Sequence, residues 1–146
     1  MKKYLFSIFV SINVLLFSQG SIKAPLVYLS CKKLEQKENE ELNECFKQNF
    51  RKDFYKMLNM ELRSRKLITN YHLKAKFNFI FGENGVISIS NFDGSEYTKD
   101  IIEKSLFRLN DRIRIGKYRI IPAMNNEGQP TKTILKVAFQ YVFVRS

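Results

Sequence analysis

The sequence predicts an α+β domain, a long amphipathic helix laid on a small antiparallel sheet. Three observations carry that expectation. Leu42, Phe46, Phe50, Phe54, Leu58 and Leu62 recur every four residues, as one face of an α-helix requires. After Asn70 the apolar period falls to two, with Ala75, Phe77, Phe79 and Phe81 alternating with Lys74, Lys76, Asn78 and Ile80. The same alternation returns over Thr133–Val144, with Leu135, Val137, Phe139, Tyr141 and Phe143 on one face. Helix, two strands, helix, two strands is the order of an antiparallel α+β sheet. With 146 residues and 45% hydrophobic content, the chain is long enough for one domain with its own core.

The first twenty residues are expected to be a secretory signal peptide. Lys2 and Lys3 form a positive start, Tyr4 to Phe17 is apolar except at Ser7, Ser11 and Asn13, and Ser18-Gln19-Gly20-Ser21 offers small and polar residues for cleavage. The apolar run is shorter than the ~20 residues of a bilayer-spanning helix. Cleavage is expected after Ser18 or Gly20, and the alternative is an uncleaved inner-membrane anchor. The expected compartment is the periplasm or the exterior. Export takes away two lysines and lowers the formal charge from +11 to +9.

An oxidising compartment gives the two cysteines a role. Cys31 and Cys45 are the only cysteines, and an isolated pair in an exported chain is most simply a disulfide. No CxxC motif occurs, and two cysteines with one histidine do not make a four-ligand zinc site. No metal and no cofactor is expected.

Residues 21–70 are expected to hold an extended arm, Leu26 to Leu29 following Pro25, and a helix of five to seven turns beginning after Cys31. Glu35, Glu38, Glu40, Glu41 and Glu44 come early in it, and Arg51, Lys52, Lys56, Arg63, Arg65 and Lys66 come late, the order the helix macrodipole favours. Residues 71–146 are expected to hold the sheet. Gly82-Glu83-Asn84-Gly85 is an Asn-Gly hairpin turn into Val86–Asn91, and Asp93-Gly94 is expected to break that strand. Thr98 is expected to cap a second helix lying across the sheet, with Ile101, Ile102, Ser105, Leu106 and Leu109 on its buried face. Arg112 to Lys117 alternates charge and isoleucine, and Tyr118–Ile121 is expected to be a short strand closed by Pro122.

The order of these elements resembles the C-terminal domain of TonB-type energy transducers over Lys74–Phe143, about half the chain. The residues that carry it are KAKFNFIF, the GENG turn, VISISNF, a helix, YRIIPAMNNEGQP and the closing TILKVAFQYVF. A variant group carries a preceding helix with two cysteines, which Ser30-Cys31-Lys32 and Glu44-Cys45-Phe46 resemble. The resemblance implies an edge strand open to an extended segment of an outer-membrane receptor, joined by main-chain hydrogen bonds. Carried onto this chain, that edge is Thr133–Phe143, with Lys136, Ala138, Gln140 and Val142 as the binding residues. The alternative is an edge blunted by Lys74, Lys76 and Lys136, or covered by the N-terminal helix.

Two departures bear on function. The three prolines, at 25, 122 and 130, supply no Pro-rich spacer of the kind a transducer uses to reach across the periplasm, and Asn110–Gly116 is longer than the family's junction there. The expected role is therefore a stand-alone envelope module binding a protein segment without transducing energy. Two alternatives are an envelope protein that binds lipopolysaccharide or another polyanion, and an anchored TonB-like transport component. The aromatics fall on apolar faces rather than interleaving with Lys and Arg, so no nucleic acid is expected as partner. His72 stands alone at a helix-to-strand boundary and no GxSxG, HExxH or P-loop pattern occurs. No enzyme and no small-molecule substrate are expected.

Overall fold

A computed structural model of the chain describes residues 16–18, 22–34, 39–65, 70–116 and 119–143. Most of the expected signal peptide, residues 1–15 and 19–20, lies outside these, as do Glu35, Glu38, Lys66, Tyr118 and Val144. The described elements are β1 (Leu16–Ser18), β2 (Ile22–Ala24), β3 (Val27–Tyr28), a 3₁₀ segment (Leu29–Leu34), α1 (Asn39–Ser64), β4 (Tyr71–Phe81), β5 (Ile87–Gly94), α2 (Glu96–Arg114), β6 (Ile120–Ile121), β7 (Ala123–Asn125), β8 (Pro130–Thr131) and β9 (Thr133–Phe143). The fold is α+β, with all strand pairs antiparallel.

The period-2 segments form the main sheet. Its order is β1-β9-β4-β5, and β4 pairs with β9 along its whole length, from Tyr71 opposite Phe143 to Phe81 opposite Thr133. Alternation then sorts the side chains. Leu73, Ala75, Phe77, Phe79 and Phe81 of β4 and Leu135, Val137, Phe139 and Tyr141 of β9 are buried on one face. The helix stripe seals that face: Phe46 meets Phe81 at 5.3 Å between ring centroids, Phe50 meets Phe79 and Phe81 at 5.0 Å, and Phe54 meets Phe139 at 6.2 Å, all edge-on. Edge-to-face rings add to area burial because the positive ring edge faces the negative ring face.

These contacts also set the direction of α1. Phe46 lies at the end of the sheet where β9 begins, and Asn59 meets Tyr141 near the end where β9 finishes. The helix thus runs along β9. Its opposite flank is held to α2 by Glu61, a buried carboxylate that accepts from Arg65 at 2.9 Å and Arg108 at 3.1 Å, while Arg65 also bonds Asp100 at 2.6 Å.

The N-terminal arm is paired, not merely extended. β2 runs against β7 and β3 against β6, with Pro25 and Pro122 at the breaks, and the Leu29 N–H donates to the Arg119 carbonyl at 2.9 Å. The Cys31–Cys45 disulfide ties the 3₁₀ segment to α1.

Three local expectations need correction, and one open stretch receives an element. Asp93-Gly94 does not break β5: the irregularity falls at Asn91, whose φ is 51°, and the strand resumes with Asp93 opposite Lys76 and Gly94 opposite Ala75. Glycine is required at 94 by close approach, since a Cβ there would sit 2.9 Å from the Ala75 Cβ and 3.0 Å from the Lys74 carbonyl. The cap of α2 is Ser95, whose Oγ accepts from the Thr98 N–H at 3.1 Å, while Thr98 is buried in the first turn. The stretch Asn110–Gly116 is helix through Arg114, because Ile113 prolongs the stripe of Ile102, Leu106 and Leu109, and Gly116, with a φ of 80°, ends it. Finally, the regular helix is described from Asn39, preceded by the 3₁₀ segment across Cys31.

Candidate functional site: the outer edge of the closing strand

A strand has two edges and two faces, and the burial pattern of β9 identifies only its faces. Lys136, Ala138, Gln140 and Val142 all lie on the face away from the helices, opposite Asn78, Lys76, Lys74 and His72 of β4. Lys136, Ala138 and Gln140 are exposed and Val142 is half-buried. Lys74 and Lys76 sit on an interior strand, so they decorate the sheet face rather than blunt its edge. The helix α1 covers the opposite, buried face.

The outer edge of β9 carries a strand of the chain's own. Leu16, Phe17 and Ser18 pair antiparallel with Leu135, Ile134 and Thr133, on the side of β9 away from β4. Beyond Leu135, residues 136–143 have no strand on that side among the described residues. In an antiparallel strand alternate residues turn their N–H and C=O to one neighbour or the other, so that stretch presents a ladder half used by β4 and half directed outward.

Along the outer side of α1 lies a groove of about 800 Å³ whose described lining is Gln48, Arg51, Lys52, Tyr55, Lys56, Asn59, Met60 and Arg63. Two contacts tie this helix to β9. The Tyr141 hydroxyl of β9 donates to the Asn59 side chain, and the Tyr55 ring lies 5.9 Å from the Tyr141 ring. Burial in this corner pushes the Tyr55 hydroxyl up to about 12, partly offset by Arg51, and burial also raises Tyr141 against the opposing effect of its hydrogen bond with Asn59.

This shift has a direct readout. An unfolded tyrosine ionises near 10, so between about 10 and 12 the unfolded chain loses a proton that folded Tyr55 keeps, and stability falls as pH rises through that window. Tyrosinate absorbance of the folded protein is expected to show a late step near pH 12 that Tyr55→Phe removes. An unchanged late step in that variant would place Tyr55 in water.

The groove is not legible in the sequence, because cations late in a helix are what the macrodipole favours in any case. The available signal was the second i, i+4 row on α1, Arg51-Tyr55-Asn59-Arg63, lying beside the phenylalanine row. His72 is exposed on β4, and among the described residues no three His, Cys, Asp or Glu side chains gather as a metal site would need. No described helix is long and apolar enough to cross a membrane. The chain matches no family model, no curated protein and no solved structure.

Proposed function

We propose that this protein is an exported envelope module, resembling the C-terminal domain of TonB-type transducers, that takes an extended segment of another protein onto the outer edge of β9 by strand addition. The observation that supports it is the antiparallel pairing of Leu16–Ser18 with Thr133–Leu135: the outer edge of β9 is competent to hold a strand in register. The disulfide fits an oxidising compartment. Cleavage after Ser18 or Gly20 would separate β1 from β2, leaving β2 and β3 on β7 and β6 while freeing the start of β9. Main-chain hydrogen bonds would supply affinity and alternate side chains selectivity.

The test uses a photo-crosslinking side chain in place of Gln140 on β9 or Ser90 on β5, with the protein expressed from its full sequence and its N-terminus read by mass. Crosslinks to one envelope protein from position 140, absent from position 90 and stable at moderate salt, are the expected result. Equal crosslinking from both positions, or its loss with salt, would replace strand addition with nonspecific polyanion attraction.

A further inference from the structure

We infer that Asn110 closes the β5 edge of the sheet to other strands, and that without it a second copy of this chain pairs there. This closure is independent of what β9 receives on the opposite side of the sheet. The sheet ends at β5, which has no strand on its outer side among the described residues. A strand edge left in that state is a template for another chain.

What meets that edge is a side chain of α2. The Ile87 N–H donates to Asn110 Oδ1 at 2.9 Å, and Asn110 Nδ2 donates to the Ile87 carbonyl at 2.7 Å. One amide takes both main-chain groups of one residue, as a residue of a neighbouring antiparallel strand would. Those groups face away from β4. The Gly82 N–H donates to the Val86 carbonyl at 2.9 Å, so Gly82 and Val86 are a bonded pair of the hairpin, and by alternation Ile87 turns its N–H and C=O outward. Ile89, two residues on, faces the same way. The edge is then broken: between Ser90 and Asp93 β5 holds one residue more than β4 does between Asn78 and Lys76, and Asn91, with a φ of 51°, bends the strand. The stretch fit for pairing is therefore Ile87–Ser90, and Asn110 occupies its start. Asparagine is a poorer helix former than alanine or leucine, because its amide competes for backbone groups. Inside α2 that amide serves β5 instead.

Removing the amide returns this stretch to strand pairing. The register that uses both Ile87 and Ile89 and stops short of Asn91 sets Ile87 opposite Ile89 of a second copy, with Ser88 opposite its own counterpart on a two-fold axis. Asn110→Ala and Asn110→Leu, neither of which weakens α2 as a helix, are compared with the parent by light scattering over a concentration series, in the N-terminal form the cell leaves, with melting followed in parallel. Both variants are expected to self-associate roughly tenfold more readily than the parent, their mass rising toward twice that of the monomer. Amide exchange at Ile87 and Ile89 is expected to slow as the dimer forms. Ser88 is exposed, and adding Ser88→Lys to either variant sets like charges face to face across the axis, which is expected to restore the parent's behaviour. Folded variants that associate no more readily than the parent overturn the inference. So does association that survives Ser88→Lys, which places the contact elsewhere. Loss of cooperative melting in both variants overturns it too, since Asn110 would then be a requirement of the fold and not a guard of its edge.

Discussion

Phe50→Ala is expected to lower stability by about 3–5 kcal/mol, read as a shifted urea midpoint. Phe50 is buried and sits at the junction of helix and sheet, with Phe79 and Phe81 edge-on at 5.0 Å and Phe46 and Phe54 at 5.9 and 6.1 Å along the helix. Truncation removes apolar area and leaves a void between two rigid elements, α1 and β4, that have little freedom to collapse. A natural domain is stable by only about 5–15 kcal/mol, so this variant is expected to be partly unfolded under mild denaturant. Phe107, 76% exposed on α2, is the matched control, and its alanine variant is expected to stay within about 0.5 kcal/mol of the parent. Equal losses in the two variants would mean that the aromatic column of α1 is not the centre of the core.

Loss of the Cys31–Cys45 bridge is expected to cost about 3 kcal/mol, the loop-closure estimate for a crosslink of this span. A domain of this size should then melt roughly 10 °C lower. The effect follows from what the bond holds. Cys31 is fully buried and lies three residues after Tyr28, which with Leu26 and Val27 is the arm's contribution to the core. Asn49 supports the junction by donating to the Cys45 carbonyl at 2.8 Å. With both cysteines replaced by serine, the arm keeps only the short β2–β7 and β3–β6 ladders. Amide exchange in residues 26–34 is therefore expected to accelerate more than in β4. A melting temperature unmoved by reductant, with both thiols shown free, would remove the bridge from the account of stability.

Much of this architecture was legible in one pass along the chain. The i, i+4 row from Leu42 to Leu62 identified α1 and its buried side, and the alternations from Ala75 and from Leu135 identified which faces of β4 and β9 are covered. Asn84-Gly85 marked the hairpin, and Gly85 does adopt a positive φ, 78°. The cysteine pair, read from its isolation and from expected export, is bonded. Local rules failed where two of them competed. Asp93-Gly94 looked like a terminator because turns favour those residues, yet pairing with Ala75 and Lys76 keeps them in the sheet. Arg112-Ile113-Arg114-Ile115 alternates like a strand, yet Ile113 falls on the stripe of the preceding helix, and helix continuation won.

The candidate site divides along the same line. That Lys136, Ala138, Gln140 and Val142 share the face away from the core follows from period two alone. Which side of β9 meets β4, that Leu16–Ser18 joins the other side, and that Tyr55 and Asn59 of α1 meet Tyr141, came only with the tertiary structure. Side-chain periodicity records burial, which each residue reports in its own hydrophobicity. An edge is made of backbone N–H and C=O groups, which nearly every residue carries alike, and its neighbour comes from a segment more than a hundred residues away. Sequence thus determined the layers of this protein, and long-range pairing decided where a partner strand finds room.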